Sequence, residues 1–225
     1  MALKENAAGA GGKILPLRPP RSGAARERLR DLLNHFAARE KPVRVVKKTA
    51  FWHQRAADIA LRVVTLGGMR TYLTHYVTTL GHTIYVPDDF DEWRPERAWE
   101  ILRHEAVHVR QFEWFGWIGM LILYGVLPLP MGLAYGRARL EWEAYAETLR
   151  AVAEAEGIAA ARSPALHDEI VRRFTGPDYG WMWPFPSAVR GWINEAIAAI
   201  ESEHRGGDKG GNEAFGEGHQ DQAQG

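Results

Sequence analysis

The sequence predicts a mainly helical α+β domain with a small β-sheet, spanning about residues 23 to 203. Three observations carry that expectation. Apolar side chains recur at i, i+3, i+4 and i+7 in several separate stretches, as the buried face of a helix requires. One short region, residues 71–86, instead gathers Thr, Tyr, Val and Ile around a glycine, as paired strands do. The 225 residues are 46% hydrophobic, enough for a single core of ordinary size with polar ends.

In chain order, residues 1–22 are Gly, Ala, Pro and Arg with little to bury, and are expected to form a disordered arm. From Ser22 the spacing of Leu29, Leu32, Leu33 and Phe36 predicts a helix that ends near Lys41-Pro42. Residues 50–66 suit a helix through Trp52, Ala56, Ile59 and Val63, although Ile59, Leu61 and Val63 also fit a strand. Thr71 to Thr78 and His82 to Val86 then read as two strands joined by a turn at Gly81. Pro87 ends the second strand, and Pro95 opens a helix at a position where its missing N–H leaves no bond unmade. That helix is expected to run to about Trp114, with Ala98, Ile101, Leu102, Val109 and Phe112 inward.

The apolar stretch from Phe115 to Gly136 carries no charge. Pro128 and Pro130 leave too short a helix for a full membrane span, so the expectation is a buried helix and turn covering the preceding helix. The alternative is a segment that dips into the membrane surface. The next helix has Ala138, Ala144, Tyr145, Thr148, Val152 and Ala155 as its apolar stripe, with Glu141 at the centre. Ser163-Pro164 opens a helix to about Phe174, and Ser187 to Ser202 reads as another with Val189, Trp192, Ile193, Ala196 and Ile200 inward. Between these two, Tyr179 to Pro186 collects aromatics, as a core plug or a wall of a substrate site. From His204 onward, Gly, Gln, Asp and Glu predict a disordered tail.

The chemistry is concentrated in the helix opened by Pro95, in His104-Glu105-Ala106-Val107-His108. A spacing of four places both imidazoles on one helix face, a turn apart, where they can share a zinc ion. Glu105 lies one residue round from His104, in position to reach a water rather than the metal, which is where a general base belongs. With no cysteine in the chain, a metal must be held by His, Asp or Glu. Glu141 is the third candidate ligand, because a carboxylate in the middle of an apolar stripe requires a charged partner. Its other possible partner is an arginine such as Arg103 or Arg137. Glu143 projects with Arg139, Glu147, Arg150 and Glu154 on a solvated face and is the alternative ligand. His53, His75, His82 and His167 have no such context and read as structural or surface residues.

The His-Glu-x-x-His motif followed on a later helix by Glu141-x-x-Ala144 resembles the gluzincin branch of the zincin metallopeptidases, over about residues 70 to 150. The resemblance implies a zincin-like domain in which His104, His108 and Glu141 bind zinc and Glu105 is the catalytic base. It also implies a peptide or protein substrate, laid as an extended chain along an edge strand for which Thr83 to Val86 is the candidate. Tyr145 stands where many relatives have an aspartate, and Arg110 where the zincin helix usually keeps an uncharged residue. Tyr145, Tyr179 and Gln111 are the candidates for steadying an oxyanion or supporting the ligands.

Composition narrows the alternatives. Lys plus Arg and Asp plus Glu both number 28, so no net field draws in nucleic acid. The first residues lack the apolar core of a secretory signal, and the expected location is the cytoplasm, with membrane association through residues 115–136 as the variant. Besides a zinc hydrolase, the sequence admits a noncatalytic zinc-binding interaction domain, or a peripheral membrane protein anchored by that stretch.

Overall fold

The computed structural model describes residues 22–48, 77–126, 134–176 and 181–213. The expected arm up to residue 21, the helix over 50–66, most of the strand over 71–78, Tyr179, His53 and His75 lie outside the described residues.

Helix α1 (Ser22–Ala38) forms where the sequence predicts it. It buries Phe36, and Leu29 and Leu32 pack against the same cluster, while Leu33 is exposed, contrary to expectation. One side of the helix alone meets the core, and that side is narrower than the predicted stripe.

Strands β1 (Arg44–Lys47), β2 (Thr78–Leu80) and β3 (Thr83–Val86) form a mixed sheet in the order β1-β3-β2. β2 and β3 are the expected hairpin, in register Thr79 with Ile84, turning at Gly81 with φ 60°. β1 was not predicted. Its four residues pair in parallel with β3, Val45 opposite Ile84, which makes β3 the central strand. Thr83–Val86 therefore cannot serve as the edge for an extended substrate. Both of its sides are already hydrogen-bonded, and it is β1 and β2 that flank the described sheet.

A 3-10 turn at Asp88–Glu92 leads into α2 (Pro95–Met120), the helix on which the molecule is organised. One side buries Leu102 and Val109 with Ile84, Val86, Val43 and Phe36, joining α2 to the sheet and α1. Ala98 is also buried, whereas Ile101 and Phe112 are half-buried. The regular helix breaks at Gly116 (φ 62°, ψ −179°), near the predicted end at Trp114. Beyond it the chain continues helically, with a π-helical segment at Leu121–Val126.

Helix α3 (Tyr135–Glu156) packs along the other side of α2. The predicted stripe is only part of its buried surface. Ala138, Ala144 and Val152 are buried, but so are Leu140, Trp142, Leu149, Ala151 and Ala153, because α3 is enclosed by helices on more than one side. Short α4 (Ile158–Ala161), α5 (Pro164–Thr175) and α6 (Pro186–Glu213) complete a second core. There Phe174, Val189, Ile193 and Ile200 close over Trp142, Leu149 and Val152, and Met182 and Trp183 supply the plug expected of the aromatic loop. Helix α6 continues past His204 to Glu213, where composition alone suggests a tail; a packed helix extends at little cost once it is nucleated.

Near the start of α2, Glu96 and Glu100 are buried beside Glu156 at the end of α3. Burial pushes the Glu100 carboxyl up to about 7, with the charges of Glu156 and Glu96 adding to it and Arg94 and Arg97 opposing it. A folded pKa above the unfolded value of 4.5 means the native state holds the extra proton. The stability this group contributes is complete below the unfolded pKa and is lost as pH rises through about 7. In chelator, Glu100→Gln should remove roughly 2–3 kcal/mol of the loss between about pH 5 and about pH 8. Urea melts at the two pH values check it, and an unchanged slope would show that Glu100 is solvated.

Candidate metal centre

Helices α2 and α3 bring His104, His108 and Glu141 together, with one nitrogen or oxygen of each lying within 4.8 Å of the others. His104 Nε2 and His108 Nε2 are each 3.9 Å from the same oxygen, Glu141 Oε2. The Glu141 side chain belongs to a residue only 1% exposed. The imidazoles converge on it. Of the two arginines considered as its other partner, Arg103 is engaged elsewhere, donating from Nε to Glu147 Oε1 at 2.7 Å, pairing with Glu154 and lying over the Trp99 ring.

The orientation of each ring, and the nitrogen that donates, follow from what holds Nδ1. Gln111 Nε2 donates to the Leu140 carbonyl at 3.0 Å and to Glu143 Oε2 at 2.9 Å, so Gln111 Oε1 is an acceptor. It lies 2.8 Å from His108 Nδ1, which must therefore carry the proton. Thr148 Oγ1 donates to the Ala144 carbonyl at 3.1 Å and accepts from His104 Nδ1, also at 3.1 Å. Both imidazoles thus turn Nε2 toward Glu141, leaving that nitrogen as the one available to a metal. Burial, and then the neighbouring His108, hold the His104 pKa well below its usual value, with the Ala144 carbonyl opposing. His104 is consequently neutral.

Glu105 lies outside this three-residue group and faces the sheet. It is buried, and its Oε2 accepts from Thr79 Oγ1 on β2 at 2.7 Å. Burial raises its carboxyl pKa and the Glu141 charge adds to that, while His108, the Thr79 hydroxyl and Lys48 pull the other way. Tyr145 sets its ring edge-on to His104, centroids 4.9 Å apart, and packs on Phe174 behind it. Gln111 supports His108, as the sequence allowed. Of the histidines that the sequence reads as structural or surface residues, His82 Nε2 meets Glu113 Oε1 at 3.1 Å and His167 donates to the Ala161 carbonyl.

Three residues of this neighbourhood escape sequence reasoning in the roles they hold. Thr79 sits two positions before the hairpin turn, with no signal beyond its place in a strand ahead of the motif. Lys48, fully buried just after β1, reads in sequence as half of a solvated Lys-Lys pair. Glu143 is an exposed residue, as predicted, yet its carboxylate reaches Gln111. Glu143→Gln keeps an acceptor for that bond and should be nearly neutral, but a side chain with no acceptor should not. Outer partners of ligating histidines are worth about 10- to 100-fold in metal affinity. Glu143→Leu, which cannot accept from Gln111, should weaken metal binding about tenfold, measured by competition with a coloured chelator. Unchanged affinity would show that Gln111 holds His108 without help.

No family model, curated protein or solved structure matches the chain. The fold and the site define a mainly helical α+β protein whose His104, His108 and Glu141 could hold a metal ion.

Proposed function

We infer that the metal is zinc and that the protein is a zinc-dependent hydrolase, a metallopeptidase in which Glu105 is the general base. The observation that carries this reading is the convergence of two imidazole Nε2 atoms on one carboxylate oxygen, each at 3.9 Å. Neighbouring donors around tetrahedral zinc stand roughly 3.3 Å apart, so small side-chain rotations make the three a ligand set. Two histidines and a carboxylate leave a fourth position open, as catalytic rather than structural zinc sites do. Zinc held there supplies Lewis acidity at that open position.

The chain's own groups supply the rest. Glu105 is one residue round the helix from His104, and burial raises the proton affinity of its carboxylate, which suits a group that takes a proton and returns it. Thr79 holds one of its oxygens and so fixes the direction of the other. Tyr145, against His104, is the described residue nearest to an oxyanion role. The test is hydrolysis of a broad peptide library by zinc-loaded protein, with Glu105→Gln beside it. Zinc binding without cleavage of any peptide would favour the interaction-domain reading instead.

A further inference from the structure

As far as Ile122, the stretch after the helix bend does not form the buried cover that its hydrophobicity suggests; residues 127–133 lie outside the described residues. Beyond the bend at Gly116, Trp117, Ile118, Leu121 and Ile122 fall at i, i+1, i+4 and i+5, one face of a helical segment, and that face is turned outward. Ile118 is 75% exposed, Trp117 63% and Leu121 61%, and Trp114 just before the bend is 87% exposed. The inner side holds Met120, which is buried, and Leu123, which lies within van der Waals reach of a Cβ placed on Gly136. No atom would obstruct a Cβ on Gly116, so a glycine is needed there for its left-handed φ of 62°, the torsion that turns the segment.

We propose that this tip is a docking surface for an anionic lipid bilayer, inserted at the interface and not across it. No described helix is long and apolar enough to cross a membrane. From Trp114 to Gly136 the chain has no charged residue and no Ser, Thr, Asn or Gln. Its only polar side-chain atoms are those of Trp and Tyr, the residues that settle at a membrane interface.

The charges at the base of the tip match an anionic headgroup layer. Arg110 is one helical turn before Trp114, and Arg139 one turn after Tyr135 at the start of α3; both are exposed. Neither is paired with a carboxylate among the described residues. The acid closest in sequence, Glu113, is already bound by Arg39 at 2.8 Å and by His82. Arg110 and Arg139 thus flank the apolar tip, with Glu143, held by Gln111, as the nearby exposed acid, and such arginines strengthen attachment to anionic lipid.

The full chain should co-sediment with vesicles of phosphatidylcholine and phosphatidylserine, about 70:30, and much less with phosphatidylcholine alone. Its tryptophan emission should be quenched by bromine on the lipid chains. The paired change Ile118→Asp and Leu121→Asp, at exposed positions, should keep the circular dichroism and zinc content and lose vesicle binding by tenfold or more. Arg110→Gln with Arg139→Gln should weaken binding about tenfold and flatten its salt dependence. Absence of wild-type binding to the anionic vesicles overturns the proposal. So does a dimer in solution that the aspartate pair dissociates while vesicle binding is unaffected, which would assign the face to a second copy. None of these outcomes depends on peptide cleavage.

Discussion

Replacing His104 or His108 with alanine should empty the metal centre. The structure brings three candidate ligands together, and each imidazole is one of them, its ring oriented by the bond at Nδ1. A bound zinc is worth about 10–16 kcal/mol in structural sites, spread over few ligands, so removing one should cost on the order of 10³-fold in affinity. Glu141→Gln should have a comparable effect, because an amide keeps the shape but not the charge that both imidazoles face at 3.9 Å. Metal analysis after dialysis, followed by calorimetric titration, measures all three variants. Full zinc retention by either alanine variant would dismiss the centre, and retention by Glu141→Gln alone would require another third ligand.

The largest effect on turnover is expected from Glu105→Gln. The amide oxygen can still accept from Thr79, so the side chain should stay where it is and the fold should be preserved. Metal content should also be preserved, since Glu105 is not one of the three converging groups. What is lost is the proton acceptor, and removal of a general base typically costs 10²- to 10⁴-fold. Steady-state cleavage of the best library peptide, at matched zinc occupancy, provides the number. Turnover within a few-fold of wild type would exclude Glu105 as the base while leaving the metal centre intact.

The metal helix is legible in sequence because its information is local. Pro95 marks the start, the spacing of His104 and His108 fixes their common face, and the apolar period identifies the side that packs on Ile84 and Val86. Glu141 is legible for a related reason: an acid at the centre of an apolar stripe is conspicuous. The sheet order is not legible. β1 is only Arg44-Val-Val-Lys47, too short to show a period, and its partner is β3, far along the chain. Without β1, β3 reads as an edge. The direction of the apolar tip fails for a different reason. Hydropathy records that the stretch after Trp114 avoids water but contains no term for the backbone torsion at Gly116, beyond which Trp117, Ile118, Leu121 and Ile122 face outward. Glu143 shows the same limit at smaller scale, since a helical projection places Cβ atoms and a glutamate is long enough to reach round to Gln111.

The two imidazoles rise from α2, whereas Glu141, Thr148 and Glu143, which face or steady them, rise from α3. A cation at that junction is therefore thermodynamically linked to the packing of the two helices. An unfolded chain cannot offer the three groups together, so occupancy favours the native state by RT ln(1 + [M]/Kd), about 1.4 kcal/mol for each decade of free metal above Kd. The linkage is reciprocal. A substitution that loosens the α2–α3 interface, at Ala144 for example, lowers metal affinity without touching a ligand, and tight metal binding in turn tolerates an interface that would otherwise be marginal. Selection for affinity and selection for stability act here on the same residues.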